Sequence, residues 1–358
     1  MEEALERVKD AILIYGATGY TGKLIAEAAA RKGARPILAG RNLGKVKAVA
    51  GPLGLSARAF DLRDPGRIDA AIRDVSAVLC AAGPFSATSR PMADACLRNR
   101  VHYLDITGEI DVFEALAARD AEAKASGVTL LPGVGFDVVP SDCLAAHLKR
   151  RLPDAEDLKL YLSLGRNMSR GTAKTMVEGI AAGARLRRKN VIVSRDRAEE
   201  GSCDFGRGER PTIQVSWGDV ATAFHSTGIP NIEVQFKASP AIARFARTPS
   251  FVKSFLGLDL MQRLIKAQID RLPEGPGEEA RRTGRAVLVG EARNAKGEIV
   301  RSRLTTPEGY ALTAVTALDA AIRVAAGEAP PGYQTPSLAF GADYVLTFDG
   351  VAREDLNR

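Results

Sequence analysis

Three glycines at a spacing of three, Gly16, Gly19 and Gly22, are the first chemically loaded feature of the chain. They sit in Tyr15-Gly16-Ala17-Thr18-Gly19-Tyr20-Thr21-Gly22-Lys23, after the apolar run Ala11–Tyr15 and before the Ala-rich, helix-forming stretch Lys23–Lys32. A phosphate-binding turn needs such spacing: Gly16 makes the tight turn, Gly19 lets the backbone approach a pyrophosphate, and Gly22 lets helix close on strand. The helix end behind the turn offers N–H groups and a positive dipole to phosphates. Thr18 and Thr21 can add hydroxyl donors, whereas Tyr20 suits packing better than chemistry. The competing reading is a strand–helix turn that holds nothing, and the strand before and helix after weigh against it.

Three further marks follow in chain order. Arg41-Asn42 ends a second apolar strand, Pro36–Ala39. An acid at that place suits a ribose 2′-hydroxyl, while an arginine suits a 2′-phosphate, so NADP(H) is expected and NAD(H) less so. Asp61-Leu62 ends a third strand, Ala57–Phe60, where an adenine edge can be met. Ala82-Gly83-Pro84 ends a fourth, Ala77–Ala82, where small residues let nicotinamide and its ribose lie against backbone.

Candidates for proton chemistry are Asp137, Glu109, Lys174 and His225. Asp105 and Glu109 stand one helical turn apart and could orient an ammonium group or relay a proton. Asp105 and Thr107 equally suit caps for a helix beginning near Ile110, and for Asp105 the cap is favoured. Asp137, in Gly135-Phe136-Asp137, either contacts nicotinamide ribose or substrate, or serves the dipole of the helix after Pro140. Lys174 lies at a helix start with Thr172, Thr175 and Glu178, where a solvated lysine is the ordinary case. His225 sits in a polar, loop-like context and suits a general acid or a structural hydrogen bond. No Ser-x-x-x-Tyr-x-x-x-Lys constellation occurs. Hydride transfer to a protonated iminium or a conjugated double bond depends chiefly on positioning, which is compatible with that lack.

The elements that must position these residues alternate. Strands at Ala11–Tyr15, Pro36–Ala39, Ala57–Phe60, Ala77–Ala82, Val101–Asp105 and Val128–Leu131 are interleaved with helices at Lys23–Lys32, Pro65–Asp74, Pro91–Asn99 and Val112–Ser126. That order implies βαβ units and a parallel sheet buried on both faces. After about Pro140 the pattern changes. A helix capped by Ser141 and Asp142 runs to Arg151, and Leu158–Leu164 alternates as a strand. Thr172–Leu186 reads as helix, then strand-like pieces follow at Thr212–Trp217, Thr222–Thr227, Asn231–Phe236, Arg285–Asn294 and Ile299–Thr305. Between them Ala241–Arg271 reads as helical. Tyr310–Ala326 is a buried helix, followed by a Pro/Gly-rich tail.

Bulk properties set the frame. With 358 residues, two domains are expected. Hydrophobic residues at 46% and charged residues at 26% mark a globular chain, and 6% aromatic residues point to an aliphatic core. A net charge of +7, spread along the chain, suits an anionic ligand and gives no signal for nucleic acid. Cys80, Cys96, Cys143 and Cys203 lack zinc or disulfide spacing, and the three histidines are dispersed. The charged start MEEALERVKD and the lack of a long apolar run point to the cytoplasm. Phe251–Leu272 is amphipathic and basic. It is expected to pack on its own domain or a second subunit rather than on a lipid surface. The Arg185–Lys189 cluster reads as solvated surface.

Taken together, Gly16–Gly22 (GATGYTG), Ala82–Phe85 (AGPF), His102–Glu109 (HYLDITGE), Gly133–Asp142 (GVGFDVVPSD) and Gln334–Asp343 (QTPSLAFGAD) resemble the saccharopine dehydrogenase-like oxidoreductases. Gly171–Gly179 (GTAKTMVEG) and Ser226–Asn231 (STGIPN) resemble their bacterial branch, the trans-acting enoyl reductases. The resemblance implies a Rossmann-type doubly wound parallel sheet with an inserted α+β domain, NADP(H) use, and a homodimer. The expected boundaries are 1–140 plus 308–358 for the nucleotide-binding domain and 141–307 for the substrate and dimerisation domain. Expected chemistry is hydride transfer to or from a C=N or C=C bond of a small molecule. The alternatives are enoyl reduction on a lipid or polyketide chain, and a cofactor-binding partner protein without catalysis.

Overall fold

The computed structural model describes residues 12–164, 169–171, 184–195, 197–238, 261, 265, 267–269, 271 and 273–356. The chain divides into two units, Met1–Val139 with Tyr310–Gly341, and Pro140–Gly309 with Ala342–Arg358.

In the first unit, strand and helix alternate: β1 (Ile12–Tyr15), α1 (Tyr20–Arg31), β2 (Ile37–Gly40), α2 (Leu43–Ala50), β3 (Ala57–Ala59), α3 (Pro65–Ile72), β4 (Ala77–Cys80) and α4 (Phe85–Asn99). Then come β5 (His102–Asp105), α5 (Ile110–Ala117), α6 (Asp120–Ser126) and β6 (Thr129–Leu131). The sheet runs β3-β2-β1-β4-β5-β6, all parallel, and a short later strand, β15 (Gly332–Tyr333), joins β6. This is the doubly wound order, in which the chain reverses direction beside β1 and leaves a crevice at the carboxyl ends of β1 and β4. The apolar runs explain it. All four residues of β1 and of β4 are buried, as a strand covered on both faces requires. One layer joins Ile12, Ile14, Ile25 and Leu38 with Ala317, Leu318 and Ala321 of the late helix α10 (Gly309–Ala325). The other joins Leu13, Ile68, Val78, Met92 and Tyr103. Each fully buried Ile or Leu contributes about 1.5–3 kcal/mol.

The second unit holds α7 (Val139–Arg151), β7 (Ala155–Ser163), β8 (Ala184–Arg188), β9 (Val191–Arg195), β10 (Glu200–Asp204), β11 (Glu209–Gln214), α8 (Asp219–Thr227) and β12 (Asn231–Lys237). After α9 (Glu278–Thr283) come β13 (Arg285–Asn294) and β14 (Ile299–Pro307), and β16 (Ala352–Leu356) closes the chain. The sheet order is β10-β11-β12-β7-β13-β14-β16, mixed, with β12 parallel to β7 and the other neighbours on that path antiparallel. The β8–β9 hairpin attaches through β12. Leu158, Leu160 and Leu162 bury one face of β7. On that side α7 lies so close that a Cβ at Gly290 would sit 2.5 Å from Leu148 Cδ1.

Several sequence expectations need correction. The expected strand Thr222–Thr227 is the helix α8, because Val220, Ala221 and Ala223 bury a helical face and period two has no sheet partner there. The Arg185–Lys189 cluster is largely the strand β8, and Arg187 is buried: its guanidinium donates to Val220 O (2.8 Å) and Asn190 O (2.7 Å) and lies 4.1 Å from the Phe224 ring centre. The helix expected from Pro91 begins at Phe85, with Pro91 inside it. Val112–Ser126 splits into α5 and α6, and α2 had no expectation. Ser141 and Asp142 lie inside α7 rather than capping it. Residues 342–358, expected with the nucleotide-binding domain, lie in the second unit, since β16 pairs with β14. The expected helices over Thr172–Leu186 and Ala241–Arg271 lie largely outside the described residues, as does most of Phe251–Leu272. Among the described residues no helix is long and apolar enough to cross a membrane.

Candidate functional site

Gly16, Gly19 and Gly22 have three different structural reasons. Gly16 stands at φ +89°, and a Cβ there would lie 2.7 Å from Ala82 N, so the turn after β1 abuts the end of β4. At Gly22 a Cβ would lie 2.3 Å from Gly16 O and 2.8 Å from Ala17 Cα, because α1 closes directly on the turn. Gly19 differs. Its backbone is ordinary extended chain (φ −77°, ψ 165°), it is exposed, and a Cβ would meet only Gly16 O, at 3.3 Å. Two of the glycines are therefore demanded by packing, while Gly19 leaves an open approach to the start of α1.

That start is also distinct electrically. Helix α1 has no side-chain cap and no acid in its first turn. Its neighbours are all supplied with an acceptor or a carboxylate. Asn42 accepts from Lys45 N on α2 (3.0 Å), and Asp64 accepts from Arg67 N on α3 (3.2 Å). Glu109 accepts from Phe85 N and Ser86 N of α4, both at 2.8 Å. Helix α5 carries Asp111 in its first turn, and α6 carries Asp120 and Glu122. Among α1–α6, α1 is thus the one end left to an anion from outside. Thr18 and Thr21 are half-buried beside it. Tyr20 packs edge-on against Tyr310, with ring centres 5.2 Å apart.

The remaining cofactor-side residues line the same edge. Arg41 is exposed at the end of β2 and makes no hydrogen bond or ion pair to another described residue. Asn42 serves as the α2 cap. Asp61 follows β3 and is gripped by Arg63, whose Nε donates to Oδ1 (3.0 Å) and Nη2 to Oδ2 (2.8 Å). That bidentate contact, the Arg63 N–H and the charge of Arg41 hold the Asp61 carboxyl down at about 2. Leu62 is half-buried beside it. On the other side, Ala82, Gly83 and Pro84 lead from β4 into α4, and Thr88 Oγ1 donates to Ala82 O (2.6 Å) to fix that loop.

The acids divide into structural and available ones. Asp105 is wholly buried and accepts from Tyr103 OH (2.7 Å), Thr107 N (2.9 Å) and Gly133 N (3.0 Å). It ties the end of β5 to the loop after β6 rather than capping α5, and burial pushes its carboxyl up to about 6. Thr107 in turn accepts from Glu109 N (3.0 Å). Glu109, a catalytic candidate in the sequence, holds the first turn of α4, a role that its distance of 24 residues from Phe85 concealed. Asp137 is half-buried in the loop after β6. Phe136 N donates to Thr313 Oγ1 (2.9 Å) and Val134 O accepts from Thr316 Oγ1 (2.9 Å), which pins this loop to α10. A Cβ on Gly108 would come 3.1 Å from Asp137 Oδ2, so the glycine makes room for the carboxyl. Burial pushes Asp137 up to about 6, where it can hold a proton near neutral pH.

The topology fixes the order of these groups. From β1 outward, Arg41 and Asp61 stand one and two strands away on one side. The 82–84 loop, the 105–109 loop and Asp137 follow β4, β5 and β6 on the other. Three strand spacings place the β6 end about 14 Å from β1. An extended dinucleotide laid across α1 would reach Arg41 with its adenosine half and the 82–84 and 133–137 loops with its other half. Two candidates remain in the second part of the chain. His225 lies in the last turn of α8, in the second unit, with its ring 5.6 Å from that of Phe224 rather than in a loop. Lys174 falls outside the described residues.

Comparison with known proteins bears on the same segment. Residues 12–131 match the family described as saccharopine dehydrogenase NADP binding domain. A trans-acting enoyl reductase of Mycobacterium leprae (strain TN) is 34% identical over 149 residues, covering 39% of this chain and 36% of that protein. One of Mycobacterium tuberculosis (strain H37Rv) is 33% identical over 148 residues, covering 39% and 35%. The chain thus spans about a third of the length of these curated relatives. Among solved structures, apo saccharopine dehydrogenase (L-Glu forming) from Saccharomyces cerevisiae superimposes with a TM-score of 0.65 at 11% identity, covering 97% of this chain and 99% of that one. That likeness concerns the fold. The family match coincides with β1–β6 and their open helix end, so what residues 12–131 share with that family is its NADP-binding segment.

Proposed function

We propose that the protein is an NADP(H)-dependent oxidoreductase that transfers hydride to or from a C=C or C=N bond of a small molecule. One observation carries it: the uncapped start of α1, reached past Gly19, beside an arginine that makes no hydrogen bond or ion pair to another described residue, in a domain that matches an NADP-binding family. When bound there, NADP(H) supplies the hydride. The chain's own residues do the rest. The first-turn N–H groups of α1 hold the pyrophosphate and Arg41 a 2′-phosphate. The small residues Ala82 and Gly83 give the nicotinamide end room, and Asp137 holds a proton for the atom next to the one that receives hydride. The names of the mycobacterial relatives favour C=C reduction on an acyl chain over imine reduction. Action as a homodimer belongs to the same proposal and is supported by the resemblance alone.

The test is NADPH oxidation by the purified protein over a panel of enoyl thioesters, enals and cyclic imines. Turnover with an enoyl thioester is the expected result. Bound NADPH without turnover on any of them would favour a cofactor-holding partner protein, and failure to bind NADPH or NADH at about millimolar concentration would overturn the oxidoreductase itself.

A further inference from the structure

We infer that Arg63 sets cofactor preference by holding Asp61, so that the corner where β2 and β3 end stays positive toward a 2′-phosphate. This rests on the NADP(H) reading of the first unit. Arg41 follows β2 and Asp61 follows β3, and Phe60 N donates to Gly40 O (3.1 Å), so the two charges occupy one corner of the sheet edge. A bare carboxylate there would repel a phosphate dianion. Arg63 offsets that charge. Its Nε and backbone N–H both donate to Asp61 Oδ1, at 3.0 and 2.9 Å, and its Nη2 to Oδ2 at 2.8 Å. Both carboxylate oxygens are taken up by a planar bidentate partner two residues on. The charge of Arg41 also acts on that carboxylate, and Arg41 makes no hydrogen bond or ion pair to another described residue.

The Arg63 side chain is 90% exposed, so the ion pair adds little to folding and its removal leaves the domain intact. That separates the proposed role from a structural one. Arg63 is a positioning residue, acting through Asp61. The experiment is calorimetric binding of NADPH and NADH to the wild-type protein, Arg63→Gln, Asp61→Asn and the double variant. Unmasking one carboxylate near a phosphate dianion, screened by salt, corresponds to roughly threefold. Arg63→Gln is expected to weaken NADPH by about that factor and leave NADH unchanged or tighter. The double variant, which is neutral at this place as the wild-type pair is, is expected to bind NADPH as the wild type does. An unchanged NADPH/NADH ratio in Arg63→Gln overturns this inference alone. So does a double variant as weak for NADPH as Arg63→Gln, which would mean that Arg63 touches the phosphate directly. A wild-type protein that binds neither dinucleotide overturns the cofactor reading and this inference with it.

Discussion

Alanine at Gly19 and alanine at Gly22 are the same chemical change three residues apart, yet they should act on different quantities. At Gly22 the new Cβ lies 2.3 Å from Gly16 O and 2.8 Å from Ala17 Cα, both backbone atoms that cannot swing away. Helix α1 would have to lift from the turn, an overpacking cost of about 1–3 kcal/mol or more. At Gly19 the Cβ meets only Gly16 O, at 3.3 Å, and the backbone angles suit alanine. Lower chain entropy in the unfolded state offsets that contact and the weaker cap, so stability should stay within about 1 kcal/mol of wild type. The methyl group, however, projects where a pyrophosphate must approach the N–H groups. Loss of one charge-assisted hydrogen bond, about 1.5–3 kcal/mol, weakens NADPH about 10- to 150-fold. Urea unfolding without ligand and calorimetric titration with NADPH separate the two effects. Gly22→Ala should shift the unfolding midpoint, and Gly19→Ala the Kd. If Gly19→Ala binds NADPH as wild type does, or loses as much stability as Gly22→Ala, the assignment of Gly19 to the phosphate approach is wrong.

Three other substitutions probe the acids and the backbone. Asp137→Asn should lower turnover about 100-fold with little change in NADPH Kd, and the wild-type rate in the reducing direction should fall as pH rises through about 6; an unaltered rate removes Asp137 from the chemistry. Asp105, also raised to about 6, binds its proton more readily folded than unfolded, so its contribution grows as pH falls from about 6 toward the unfolded value near 3.8. Asp61, Asp69 and Asp74 are lowered instead and cost stability only below that window. Burial lowers His102 and His147, which oppose this gain in wild type and variant alike; between pH 7 and 5 the wild type should therefore gain about 1 kcal/mol more than Asp105→Asn, and equal slopes would contradict this. Arg100 ends α4 at φ +57°, a left-handed position that costs a residue with a Cβ about 1 kcal/mol. Arg100→Gly should therefore raise the thermal midpoint by a few degrees, and a lower midpoint would show that the arginine side chain earns its place.

The sequence spoke most clearly where one residue does one local job. The apolar runs of β1 and β4 are buried on both faces, and Gly16 and Gly22 are glycines for reasons visible in the spacing. The place of Arg41 is legible because it follows a strand that ends beside the turn. What stayed hidden was partnership at a distance. Glu109 looked like a proton relay because nothing local shows that its carboxylate reaches Phe85 N and Ser86 N across 24 and 23 residues. Arg187 looked like a solvated charge because burial of a guanidinium depends on Val220 O and the Phe224 ring, which only the folded sheet supplies. The strand expected at Thr222–Thr227 failed for the opposite reason. Thr and Phe favour strands weakly, and the apolar face of Val220, Ala221 and Ala223 outweighs them. Arg63 escaped notice since an exposed arginine is ordinary until its carboxylate is seen beside Arg41.

The start of α1 as an NADP(H) site is tested most directly by calorimetric titration of the intact protein with NADPH and NADH at one salt concentration. NADPH should bind with a Kd at least about tenfold below that of NADH, the worth of one phosphate–arginine contact. Equal affinities would remove Arg41 from its role, and no heat from either dinucleotide at about millimolar concentration would contradict the site itself.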